Sequence, residues 1–201
     1  MKRWTLAAGI LALAGAGVAT LTARQGTMAN HPMPPSLKPL TASVVTNSVA
    51  TYYRLLEGWL TKTADMVSEA DYSFKPTGKP AADGQPIRSI GQILGHVADS
   101  NYSFCGIVSG TKGPAGSVEQ TAKTKAALQK ALAESFAYCD QAWASLTDQT
   151  AAAPADLPEG LGKSTRLGVL VFQSHHLAEH YGNLVTYLRV LGLVPPSSQP
   201  H

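Results

Sequence analysis

Histidine 96 lies inside the stretch GQILGHVADSNYSFC, and His176 and His180 lie inside HHLAEHYGNLVTYLR. If both stretches are helical, His176 and His180 share one face, a turn apart and about 6 Å along the axis. One first-row divalent metal ion bridges such a pair, and His96 supplies a third ligand from a neighbouring helix. Three protein ligands leave a coordination position for water or substrate, the arrangement of a reactive centre and not of a closed structural one. Imidazole donors tolerate zinc, nickel, iron and manganese, so residue type does not choose the metal. The bland alternative is that the three are core-edge histidines that only pack and hydrogen-bond.

Neighbouring residues sharpen this reading. His175 is turned about 100° from His176 and cannot share the His180 face; it pairs more naturally with Glu179, four residues on. The string His176-Leu177-Ala178-Glu179-His180 matches H-x-x-E-H, a zinc-protease motif. Such enzymes take a further acidic ligand from well downstream, whereas no Asp or Glu follows His180 here. Glu179 and Asp99 are the candidate bases near a metal-bound water. Asp99, Gln173, Asn183 and Tyr187 are candidates to orient the ligands through their outer N–H groups.

Four helical stretches must position these residues. The first covers about 40 to 70, with Val45, Val49, Tyr52, Leu56, Trp59, Thr63 and Met66 as its apolar seam. The second covers about 89 to 108, with Ser89 as N-cap. The third runs from about 118 to 146, with Leu128, Leu132, Ser135, Cys139, Trp143 and Leu146 on its buried side. The fourth begins after Ser164, a candidate cap, and ends near Leu191, where Gly192 and Pro195-Pro196 forbid continuation. No strand-like alternation competes, and four long helices predict an all-α four-helix bundle. On the fourth helix His176 and His180 lie beside the apolar stripe of Leu170, Leu177, Tyr181, Leu184 and Leu188, so they flank the core.

The start of the 201-residue chain has a different character. Lys2 and Arg3 precede an apolar run from Trp4 to Ala23, which reads as a secretory signal, or as an uncleaved membrane anchor over residues 4–23. Either implies export. Residues 24–39 contain four prolines and read as a tether, leaving residues 40–198 for the bundle. The net charge of +3 falls to +1 without Lys2 and Arg3, and no basic patch carries interleaved aromatics. Nucleic-acid binding therefore has no support, and a small molecule is the expected substrate. Oligomeric state is not fixed by the pattern, although bundles of this size often form a homodimer through an exposed helix face. The two cysteines, Cys105 and Cys139, are either buried thiols or one disulfide.

The lone histidine in the GQILGHVADSNY stretch, the late H-x-x-x-H running into HYGNLVTYLR, and the closing GLVPPSS together resemble the DinB-like superfamily. The resemblance spans about residues 40 to 198. It implies a four-helix bundle holding a divalent metal through His96, His176 and His180. It further implies metal-dependent hydrolase chemistry, or thiol-dependent transfer or isomerisation; a non-enzymatic envelope module that binds metal or a small ligand is the alternative. Members run their second and third helices parallel through a crossover. Cys105 and Cys139 then lie at similar heights, which favours the disulfide.

Overall fold

The computed structural model describes residues 43–79 and 82–200; the signal or anchor segment and the whole tether lie outside them. Four long helices dominate: α1 (Val44–Met66), α2 (Ile90–Ser109), α4 (Lys125–Ser145) and α6 (Arg166–Val190). Two one-turn helices, α3 (Val118–Thr121) and α5 (Asp148–Ala151), precede α4 and follow it. No helix among the described residues is long and apolar enough to cross a membrane.

Pairwise contacts fix the direction of every rod. Along α2 and α4 the partners ascend together: Gly91 beside Leu128, Asn101 beside Ser135, Cys105 bonded to Cys139. These two helices are therefore parallel. Against α6 the order reverses, with Arg88 below α2 meeting Tyr187 and Val108 meeting Arg166. Helix α1 also opposes α4, since Tyr53 reaches Asp140 while Asp65 reaches Gln129. The result is an up-down-down-up bundle with a crossover between α2 and α4. A fully buried disulfide closes the α2–α4 seam, with Cα atoms 5.2 Å apart.

The helix starts follow local chemistry. Ser89 caps α2, its hydroxyl accepting from Gln92 N while the Gln92 side chain accepts from Ser89 N. Gly192 takes φ 76° just past α6, where a left-handed residue ends the helix without Cβ strain. The cap of α6 is Thr165 and not Ser164: the Thr165 hydroxyl accepts from Gly168 N. Ser164 instead belongs to a short antiparallel hairpin, β1 (Pro154–Asp156) with β2 (Lys163–Thr165). Three residues per strand are too few to leave an alternation pattern in the sequence.

Two expectations need larger correction. The third stretch is not one helix. Ala122 is extended and Thr124 restarts the rod as a fresh N-cap, accepting from Ala127 N. The seam of α1 is also rotated near its start. Val45 and Tyr52 are exposed, at 57 % and 67 %, while Thr46, Ala50, Tyr53, Leu60 and Ala64 are buried. Periodicity cannot choose between adjacent stripes of similar polarity. Hydrogen bonds decide this one, with Tyr53 Oη donating to Phe136 O and Asp140. The buried side expected for the third stretch is buried throughout, from Leu128 to Leu146.

Candidate metal centre

The core beneath the centre carries a polar chain. Asn101 Nδ2 donates to Ser135 Oγ at 3.1 Å, and Gln173 Nε2 donates to Asn101 Oδ1 at 2.9 Å. All three are fully buried, so the chain locks the heights of α2, α4 and α6 against one another. One turn beyond Gln173 comes His176. Gln173 thus acts on helix register and bonds to no imidazole.

Above this lock the three rings converge. His96 Nε2 lies 3.2 Å from His176 Nε2, and His176 Nε2 lies 3.0 Å from His180 Nε2. All three ligand atoms fall within 4.8 Å of one another. Bonds of about 2.1 Å to one cation place neighbouring donors about 3.0 to 3.4 Å apart in octahedral or tetrahedral geometry. Phe104 packs edge-on against His176, with centroids 5.4 Å apart. His180 is buried and the other two are half-buried.

Electrostatics keep two of the donors neutral. The His176 pKa is pushed down to about 4, first by burial and then by the neighbouring His180 and His96. His180 is also pushed down to about 4, by burial, then His96 and the guanidinium of Arg88. Neutral imidazoles are the form that binds metal. Nδ1 of His176 and of His180 are buried without a partner among the described residues. Protons on these outer nitrogens leave the Nε2 lone pairs facing a common point. Crowded lone pairs repel unless a proton or a cation lies between them, so the donor set fits a divalent metal.

The outer partner of His96 is a residue that the sequence pattern did not single out. Glu119 Oε2 stands 3.5 Å from His96 Nδ1, and Glu119 Oε1 accepts from Arg88 Nε at 2.9 Å. A carboxylate behind a ligating imidazole orients the ring and raises its basicity. Glu119 reaches this position because α3 lies directly on α2. Gly95 permits that approach: a Cβ there would meet Glu119 Cα at 2.6 Å and Glu119 N at 2.9 Å.

Asp99 anchors the same contact and is not a base at the centre. Its carboxylate accepts from Ser117 Oγ at 2.8 Å, Val118 N at 2.7 Å and Glu119 N at 3.1 Å. Those bonds cap α3 and engage both carboxylate oxygens. Glu179 is exposed and does not join the three Nε2 atoms; its charge reaches His176 only as a field that raises its pKa. It forms no ion pair with His175, which stacks on Phe172 with centroids 6.4 Å apart. Asn183 and Tyr187 line a cleft beside His180 without bonding to the ligands, and Tyr187 Oη donates to Arg88 O at 3.2 Å. Arg189, in the last turn of α6, donates to Ser198 Oγ at 3.2 Å.

An antiparallel-and-parallel bundle with three imidazoles from its second and last long rods defines a helical-bundle protein with a candidate divalent-metal centre. The chain belongs to the DinB superfamily, whose family model matches residues 53–184. No curated protein matches the sequence. Among solved structures, a conserved protein from Enterococcus faecalis is similar at TM-score 0.54 and 16 % identity, covering 74 % of this chain and 98 % of that one. A mutant of the mycothiol-dependent maleylpyruvate isomerase is similar at TM-score 0.50 and 15 % identity, covering 73 % of this chain and 67 % of that one. At such identities the likeness establishes the shared fold.

Proposed function

We propose that this chain is an exported metal-dependent enzyme acting on a small molecule, with a divalent ion held by His96, His176 and His180. The supporting observation is the convergence of three Nε2 donors on one point. When bound, such an ion acts as a Lewis acid: it lowers the pKa of bound water or stabilises a thiolate. The protein supplies the rest. Glu119 orients His96, Phe104 braces His176, and burial holds His176 and His180 unprotonated at neutral pH.

Two reaction types suit this centre. The named isomerase among the structural neighbours uses a low-molecular-weight thiol, which supports thiol-dependent transfer or isomerisation. The Cys105–Cys139 disulfide favours an oxidising compartment, in agreement with export. Cytosolic thiols are scarce in such a compartment, so hydrolysis is the leading reaction. A binding module of the cell envelope is the second reading, favoured because no Asp or Glu joins the three Nε2 atoms among the described residues.

Metal analysis of untagged protein tests the centre. One divalent ion per chain is expected in the wild type, and none in His176→Ala. Wild-type protein that takes up no metal, with stability unchanged by added Zn²⁺ or Ni²⁺, overturns the proposal. Ester and amide panels, then a thiol-plus-electrophile panel, each against the His176→Ala control, separate the two reaction types. Stoichiometric metal with no turnover favours the binding module. The N-terminal residue of protein recovered from the cell envelope reports export and cleavage.

A further inference from the structure

Beside His180 the surface opens into a cleft of about 390 Å³. Its apolar wall is made by Pro76, Pro86 and Ile87, and its polar groups come from Arg88, Asn183 and Tyr187. Arg88 is the one charged side chain lining it among the described residues. That side chain is 42 % exposed, although it pairs with Glu119, so an incoming ligand can still reach it. The pair engages the guanidinium through Nε at 2.9 Å, while Tyr187 holds the backbone of Arg88 in place. A guanidinium fixed in this way presents a planar fork of donors, the geometry that takes a carboxylate in two parallel hydrogen bonds.

We propose that this cleft is the substrate pocket of the metal centre, and that Arg88 selects small molecules carrying a carboxylate. The inference rests on the metal reading above and names the substrate class that the centre serves. One basic side chain matches one negative charge. A phosphate dianion calls for more donors than a single arginine, and among the described residues no second basic side chain lines the cleft. The prolines and Ile87 receive a short apolar body. His180 borders the same cleft, so a molecule anchored by its carboxylate on Arg88 presents its other end to the centre. Glu119 is the internal competitor for the guanidinium, since it already occupies Nε. Arg88 is thus a specificity residue, and Glu119 tunes its strength while orienting His96.

Calorimetric titration of zinc-loaded, untagged protein tests the assignment. The probes are butyrate and hexanoate, the matched neutral amides, and inorganic phosphate, with metal content measured for every variant. Wild-type protein is expected to bind the carboxylates at least ten-fold more tightly than the amides. Arg88→Gln should remove that preference while keeping one metal per chain, and Arg88→Lys should keep part of it. Glu119→Gln, held in excess zinc, should tighten carboxylate binding severalfold by releasing the guanidinium. Opposite effects from the two halves of one ion pair are not what a structural role would give. Equal carboxylate affinity in wild type and Arg88→Gln, or phosphate binding more tightly than carboxylate, overturns the assignment. Failure of the wild type to take up zinc strikes the metal reading alone. The same titration on metal-free protein then decides the subsite: Arg88-dependent carboxylate binding upholds it, and its absence overturns it.

Discussion

Replacing Gly95 with alanine should damage both the fold and the metal centre. The new methyl would lie 2.6 Å from Glu119 Cα, 2.9 Å from Glu119 N and 3.2 Å from the Val118 carbonyl carbon. All three are backbone atoms, so no rotamer change relieves the clash. Carbon atoms pack at about 3.5 to 4.0 Å, so α3 must retreat by about 1 Å. That retreat takes the Asp99 bonds to Val118 N and Glu119 N, now 2.7 and 3.1 Å, beyond hydrogen-bonding range. Overpacking costs about 1–3 kcal/mol, and alanine recovers about 1 kcal/mol of helix propensity. With the weakened cap included, the net loss is about 2 kcal/mol, or about 4–8 °C in Tm for a domain of this size. Glu119 would also leave His96, which should cost about ten-fold in metal affinity. Thermal unfolding and competitive zinc titration read the two effects separately. Gly58→Ala is the matched control, because a Cβ there meets nothing within 4 Å. If Gly95→Ala melts with the wild type and binds zinc equally well, the contact between α2 and α3 does not position the centre.

The metal-free protein should lose stability as pH falls from about 6.5 toward 4. His176 and His180 titrate near 4 when folded, below the ordinary value of 6.5, so the unfolded chain binds protons first in that window. Melting of EDTA-treated protein across pH 4 to 7.5 checks this, and His176→Gln should flatten the curve. Glu57 behaves in the opposite sense: burial, then Asp140, raises its carboxyl pKa to about 7. Its cost accrues as pH rises from about 4.5 to 7, so Glu57→Gln should raise Tm at pH 8 and leave it unchanged at pH 4. Cys105 and Cys139 close a loop of 34 residues. Removing the disulfide by a double serine substitution should therefore cost about 3–4 kcal/mol on the chain-entropy account. Metal stoichiometry should be unchanged, because neither sulfur belongs to the centre; calorimetry and metal analysis test the two halves.

What sequence determines here is what local chemistry determines. The 3.6-residue period fixes α2, α6 and the end of α4 to within a few residues. Ser89 has a hydroxyl, and Gln92 stands three residues on, so the start of α2 needs no tertiary contact. The i, i+4 spacing of His176 and His180 puts their rings together on any helix. The parallel course of α2 and α4, and with it the Cys105–Cys139 pairing, comes from the family resemblance and not from periodicity.

Other features depend on atoms distant in the chain. The exposed and buried stripes of α1 are alike in composition, and only the partners of Tyr53 on α4 choose between them. Ala122 lies in a strongly helix-favouring stretch, yet the chain breaks there because Asp99, 19 residues before Val118, holds α3 against α2. The same contact turns Asp99 from a candidate base into a cap and delivers Glu119 to His96. Propensity and spacing report energies between near neighbours along the chain. A carboxylate placed behind a ring by a missing Cβ on another helix is an energy between distant ones, and it exists only once the rods have packed.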